Sequence, residues 1–183
     1  MEATELSAAA AGFLYIALAI ARRRECWIAG GFSSALYVWV LVDARLPMQA
    51  ALQLLYVAMA VYGWIAWSPA HADTRPRSWP PSAHGLALAA VAAAGLASAP
   101  LIARYGQSAA PLAESLGTWA SVAATWMLAR RCVESWLWWV VVDLGLATLF
   151  ASQGLAWTAA LYAAYALLAV AGWRQWRRAL KAS

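Results

Sequence analysis

Seven stretches with few or no charged residues follow one another along the chain, at 6–21, 26–42, 46–67, 85–103, 111–129, 135–151 and 154–173. A helix needs about 20 mainly apolar residues to cross the hydrocarbon core of a bilayer, so the pattern predicts seven transmembrane helices and little mass outside them. The longest polar segment, Ser68–Ser82, is rich in proline and charge and is expected to be a loop. An all-α membrane protein is the expected fold class.

The pattern also repeats. Residues 22–67 reappear without a gap as residues 131–176, at a fixed offset of 109 positions. Arg22 pairs with Arg131, Glu25 with Glu134, Trp27 with Trp136, Tyr56 with Tyr165, Gly63 with Gly172, Trp64 with Trp173 and Trp67 with Trp176. Spans one to three then form one repeat and spans five to seven the other. The fourth span, rich in alanine, connects them and returns the chain so that the second repeat starts on the same face. Two parallel three-helix repeats in a 3+1+3 order are a known transporter design, with the substrate site near the midplane between repeats. The expected divisions are 1–67 for the first repeat, 68–104 for the loop and connecting helix, and 105–183 for the second repeat with its basic tail.

Composition agrees with a chain in lipid: 64% of residues are apolar and 11% charged, against about 45–50% and about 25% in soluble domains. The amino terminus carries Glu2 and Glu5 ahead of the first apolar run, and Arg22 to Arg24 follow it. That order predicts a retained helix in place of a cleaved signal. Cys26 and Cys132 occupy non-equivalent repeat positions, with no CxxC spacing, so structural roles are expected and no metal or cofactor is.

The net charge of +5 changes meaning once it is mapped onto the loops. Arg22, Arg23, Arg24, Arg75, Arg77, Arg130, Arg131, Arg174, Arg177, Arg178 and Lys181 fall on the side of the carboxyl terminus, and only Arg45 and Arg104 fall opposite. This bias predicts an outside amino terminus and a cytoplasmic carboxyl terminus. The basic balance reports topology, with nucleic acid excluded as the partner.

Candidate chemistry lies where polar groups enter the apolar spans. Asp143 sits about two turns inside the sixth span, where a carboxylate is costly unless it faces a cavity or a partner. Trp136, Trp139 and Asp143, spaced by three and four residues, share one helix face. In the third span Gln53 and Tyr56 lie on a stripe that ends at Trp64 and Trp67, where interfacial anchoring competes with ligand contact. Between the repeats, Trp139 corresponds to Gly30 and Asp143 to Ser34, so one half supplies bulk and charge where the other leaves room. Ser34 and, one turn on, Tyr37 complete the candidate lining. Glu25, Glu134, Trp64, Trp67 and Tyr165 are expected to serve as scaffold or gate.

The run from Tyr62 to Trp67, YGWIAW, and the run from Arg130 to Asp143, RRCVESWLWWVVVD, resemble motifs of the PnuC-type vitamin transporters, relatives in fold of the SWEET sugar transporters. The resemblance covers essentially the whole chain. It implies uptake of a vitamin nucleoside across a bacterial inner membrane, often by a homotrimer, through facilitated diffusion with trapping by a cytoplasmic kinase. It also implies that Trp136, Trp139, Asp143, Gln53 and Tyr56 line the substrate path. Members that carry nicotinamide riboside typically have asparagine where this chain has Asp143, and others near Ala60 and Ser33. The expected substrate is a small cationic vitamin, nicotinamide riboside first and thiamine as the alternative, since either flat cationic ring can stack on indole and use Asp143 as counter-charge. With a single deep acid, uniport is expected over proton coupling.

Other seven-helix functions meet obstacles. A retinal protein needs an intramembrane lysine, and the one lysine is Lys181. A haem carrier needs histidines inside the spans, whereas His71 and His84 lie in or beside the polar loop. A hydrolase needs a nucleophile and a base in reach. The remaining non-transport reading is a structural membrane protein whose tryptophans only pack.

Overall fold

The computed structural model describes residues 2–43, 47–68, 75–105, 110–152, 154 and 156–182. These residues form seven helices: α1 (Glu2–Ile20), α2 (Cys26–Asp43), α3 (Pro47–Ala66), α4 (Pro81–Tyr105), α5 (Pro111–Ala129), α6 (Ser135–Ser152) and α7 (Ala156–Lys181). Three of them start on proline, whose missing N–H costs nothing in a first helical turn. The chain divides into two compact units, Met1–Thr74 and Arg75–Ser183. In the first, α2 packs against both α1 and α3; in the second, each helix packs against the next from α4 to α7. The helix assigned to the connecting segment, α4, thus lies along α5.

Five helices are long and apolar enough to cross a membrane: α2, α3 from Gln49, α4, α6 and α7. The expectation of seven spans of that character holds less well for α1 and α5. In α1 the apolar part is limited to Ser7–Ile20, because the acidic first turns take up the rest. α5 is diluted by Glu114, Ser115, Thr118, Ser121 and Thr125. Its polar groups bond to backbone and neighbours inside the unit. Ser115 Oγ donates to the Gly95 carbonyl at 2.9 Å, Trp119 Nε1 donates to Ser98 Oγ at 2.9 Å, and Thr125 Oγ1 donates to the Ser121 carbonyl at 2.8 Å. A helix between two neighbours shows lipid less of its surface, so it satisfies its hydroxyls internally and needs less apolar character.

The repeat is visible in the backbone. α1 ends with Arg22 at φ 58° and α5 with Arg131 at φ 57°, the left-handed conformation of a helix stop. In the first unit the Arg22 N–H donates to the Ala19 carbonyl at 3.0 Å and the Arg23 N–H to Leu18 at 2.9 Å. In the second, Arg131 donates to Leu128 at 2.8 Å and Cys132 to Met127 at 2.9 Å. Both ends are the same Schellman motif. Its paired bonds satisfy the last carbonyls and turn the chain into the next helix.

Candidate functional site

At one end of each unit a tryptophan is wedged between two helices. Trp27 of α2 lies over Gly63 of α3, and Trp136 of α6 lies over Gly172 of α7; a Cβ on either glycine would overlap the indole, at 2.6 Å from the Trp136 ring in the second case. Trp67 meets Trp27 edge-on at 5.5 Å and 89°, and Trp176 meets Trp136 at 5.6 Å and 80°. All four rings are buried. Trp67 and Trp176 therefore pack inside their units, where an interfacial belt would lie along the outside. Trp136, expected to line the substrate path, occupies the same packed place as Trp27, each with 3% exposure. Neither Trp27 Nε1 nor Trp136 Nε1 has a hydrogen-bond acceptor among the described residues.

These contacts fix the antiparallel register of each helix pair. With Trp136 opposite Gly172, residues whose numbers sum to 308 lie at one level, which brings Asp143 level with Tyr165. In the first unit Trp27 lies opposite Gly63 and Gly31 opposite Ala60. The same reasoning puts Ser34 level with Tyr56 and Val57, and Tyr37 level with Gln53 and Leu54. Asp143 is about 12 Å along α6 from its first residue, at 1.5 Å per residue. The sequence candidates thus fall within about one helical turn of a common level in each unit: Ser34, Tyr37, Gln53 and Tyr56 in the first, Trp139, Asp143 and Tyr165 in the second. Trp64 lies apart from them, near the helix ends, with the Arg24 guanidinium 3.6 Å over its ring and Arg24 Nε donating to its carbonyl at 2.8 Å.

Asp143 is buried, with 4% exposure, and among the described residues no side chain bonds or pairs with its carboxyl. Its repeat counterpart Ser34 is also buried. The neighbouring Ser33 satisfies its hydroxyl by donating to the Ala8 carbonyl at 2.7 Å. An ionised carboxylate at mid-helix in lipid costs about 3 kcal/mol. The first unit avoids this cost with a hydroxyl.

The turns that precede α2 and α6 carry the equivalent acids Glu25 and Glu134, each at a helix amino terminus, where a negative charge is favourable. Their partners differ. Glu25 is exposed and pairs with Arg23 at 3.1 Å, which holds its carboxyl below the usual range. At Glu134, burial raises the carboxyl and hydrogen bonds lower it further, so the net shift is downward. Ser78 Oγ donates to Oε1 at 2.5 Å, while the Trp79 N–H, at 3.2 Å, and the Cys132 thiol, at 3.0 Å, donate to Oε2. His84 Nε2 stands 3.9 Å from the same oxygen. Where the first repeat has Arg23, the second has Cys132, and its thiol is pushed up to about 12, first by burial and then by Glu134. A backbone bridge fastens the loop to this turn: the Arg77 N–H donates to the Arg131 carbonyl, and the Val133 N–H to that of Arg77, each at 2.9 Å. Sequence reading passed over His84, Ser78 and Trp79 because 48 or more residues separate them from the acid they meet.

Comparison with known proteins matches this architecture to transporters. The family model described as nicotinamide mononucleotide transporter matches residues 2–178. The chain is 29% identical over 170 residues to the riboflavin/roseoflavin transporter RibM of Streptomyces davaonensis, covering 88% of this chain and 79% of that one. It is 26% identical over 194 residues to the nicotinamide riboside transporter PnuC of Escherichia coli, covering 91% and 81%. The crystal structure of the vitamin B3 transporter PnuC shares the fold, with a TM-score of 0.78 at 21% identity over 98% of this chain and 82% of that one. With seven helices, a duplicated tryptophan–glycine packing and a family match from end to end, the chain is a multi-pass membrane protein and belongs to the nicotinamide mononucleotide transporter family.

Proposed function

We propose that the chain carries a cationic vitamin with a flat aromatic ring, nicotinamide riboside first, by facilitated diffusion that a cytoplasmic kinase makes productive by phosphorylating the arrival. The observation that carries this reading is Asp143, buried at the level of Tyr165 with no side-chain partner for its carboxyl among the described residues. A ring that bears a permanent positive charge supplies the missing counter-charge, and Trp139, one turn away on α6, offers an indole face for cation–π contact of about 0.5–2 kcal/mol. Within the first unit, Gln53, Tyr56, Ser34 and Tyr37 carry amide and hydroxyl groups that can hydrogen-bond a polar cargo.

The similarity to RibM makes a flavin a second reading, since relatives in one family differ in cargo. Riboflavin is neutral, and a neutral ring leaves an ionised Asp143 uncompensated. Thiamine satisfies the acid as nicotinamide riboside does. Uptake of labelled nicotinamide riboside, thiamine and riboflavin into liposomes containing the purified protein decides among them. The expected result is saturable entry of the riboside without an imposed proton gradient. Entry of riboflavin alone would overturn the reading, and accumulation of unmodified riboside driven by a proton gradient would overturn uniport.

A further inference from the structure

His84 from the first turn of α4, Cys132 from the α5–α6 turn and Glu134 two residues later bring one nitrogen, one sulfur and one carboxylate oxygen to within 4.8 Å of one another. The three come from separated parts of the second unit and are held by other contacts. Ser78 and the Trp79 N–H orient the Glu134 carboxylate. Trp79, 6.1 Å from the His84 ring, and Trp138, at 6.5 Å, flank the imidazole. His84 Nε2 is buried and lacks a hydrogen-bond partner among the described residues. Nitrogen, thiolate and carboxylate oxygen together are a donor set for a borderline-soft divalent ion, and bound second neighbours of this kind are what keep such ligands oriented.

We propose that His84, Cys132 and Glu134 form a binding site for one zinc ion, or a transition-metal ion of similar softness, that clamps the start of α4 to the turn between α5 and α6. Three protein ligands leave a fourth position for water. Cys132 Sγ and Glu134 Oε2 already lie 3.0 Å apart and His84 Nε2 stands 3.9 Å from that oxygen, so with ligand bonds of about 2.0–2.3 Å the clamp closes on the ion from the His84 side. Binding replaces the Cys132 S–H bond with a sulfur–metal bond and releases that one proton to solvent. At His84 no proton is lost. Trp138 Nε1 lies 3.4 Å from Nδ1, a long bond that marks Nδ1 as acceptor and Nε2 as the protonated nitrogen. Coordination through Nε2 moves the proton to Nδ1 and gives up this bond, which is weak at that length. The first repeat has no counterpart: Arg23 stands in the place of Cys132 and neutralises Glu25 directly.

The test uses the full chain in detergent with zinc alone, followed by cobalt as a coloured substitute. One zinc per chain is expected, with an affinity that rises about tenfold per pH unit while the thiol is protonated, because one proton leaves on binding. Cobalt is expected to give a thiolate-to-metal charge-transfer band, and zinc to protect Cys132 from alkylation. Cys132→Ser and His84→Ala should each weaken binding at least tenfold, Cys26→Ser should leave it unchanged, and Trp138→Phe should leave it equal or tighter. The charge-transfer band and the alkylation protection are read on the unaltered chain, so they stand even where a variant folds poorly. Absence of zinc binding, a cobalt spectrum without the thiolate band, or binding that survives both Cys132→Ser and His84→Ala would overturn the site.

Discussion

The two units agree at one end and diverge at mid-helix. Trp27, Gly63 and Trp67 in the first and Trp136, Gly172 and Trp176 in the second have the same separations and nearly the same ring angles. A few turns further along, the first unit has Ser34 at the position equivalent to Asp143 of the second. The difference separates two pressures on a duplicated chain. Helix packing against a bare glycine tolerates little change, so both copies keep it. On the proposed reading, a cargo with one charged ring needs one acid, so only one copy carries it.

The largest effect is expected from breaking the shared packing. Gly63→Leu and Gly172→Leu each drive a branched side chain into an indole, beyond the 1–3 kcal/mol usual for overpacking, and should leave little folded protein by fluorescence-detected size exclusion. Loss at one position only would show that the wedges are not equivalent. Next, Asp143→Ala should cut uptake of a cationic vitamin at least tenfold, about 1.4 kcal/mol, while Ser34→Ala changes it less than threefold. Equal losses would mean that both units hold the cargo alike.

The acids of the turns sharpen the comparison. Glu134→Gln weakens three hydrogen bonds to a half-buried carboxylate and should cost about 1–2 kcal/mol in thermal unfolding, whereas Glu25→Gln, at an exposed pair, should cause no measurable change. Because folding holds the Glu134 carboxyl below its ordinary value, its contribution is complete above the unfolded value and fades as pH falls through the folded one. The unaltered protein should therefore lose melting temperature in acid more steeply than Glu134→Gln does. The smallest effect belongs to the helix stops. Arg22→Gly and Arg131→Gly relieve a left-handed side chain, worth about 1–2 kcal/mol, but raise the entropy of the unfolded chain by a similar amount. Each should shift stability by less than about 1 kcal/mol, and by the same amount in both units.

Much of this was legible in the sequence because its signals are local or periodic. Helix limits followed from the apolar runs and lie within a few residues of expectation, with α1 and α4 beginning four residues earlier and α7 running on to Lys181. The offset of 109 foretold which tryptophans and glycines behave alike. What a linear reading leaves open is which side chains the partner helix takes up. Trp136 shares a helical face with Asp143 by spacing, yet it is spent on Gly172, because only the partner helix decides which end of a stripe is packed. Contacts between distant segments were equally out of reach. Cys132 read as a structural thiol because Glu134 is the one donor near it in sequence, and the fold brings His84 to the pair from α4. The weak apolar character of α5 has a related cause, since Ser115 is satisfied by Gly95 of α4, a neighbour no pattern specifies, and Ser121 and Thr125 by the helix's own carbonyls.

The two unpartnered indole N–H groups have a practical consequence. Trp27 and Trp136 occupy matched positions, one in each unit, and each N–H is buried without an acceptor among the described residues. Such protons give isolated indole resonances, shielded from exchange with water and sensitive to small shifts of the facing glycine helix. A chain selectively labelled at tryptophan therefore contains its own pair of gauges, one per half. Titrated with cargo, they would report whether the halves move in step or in turn.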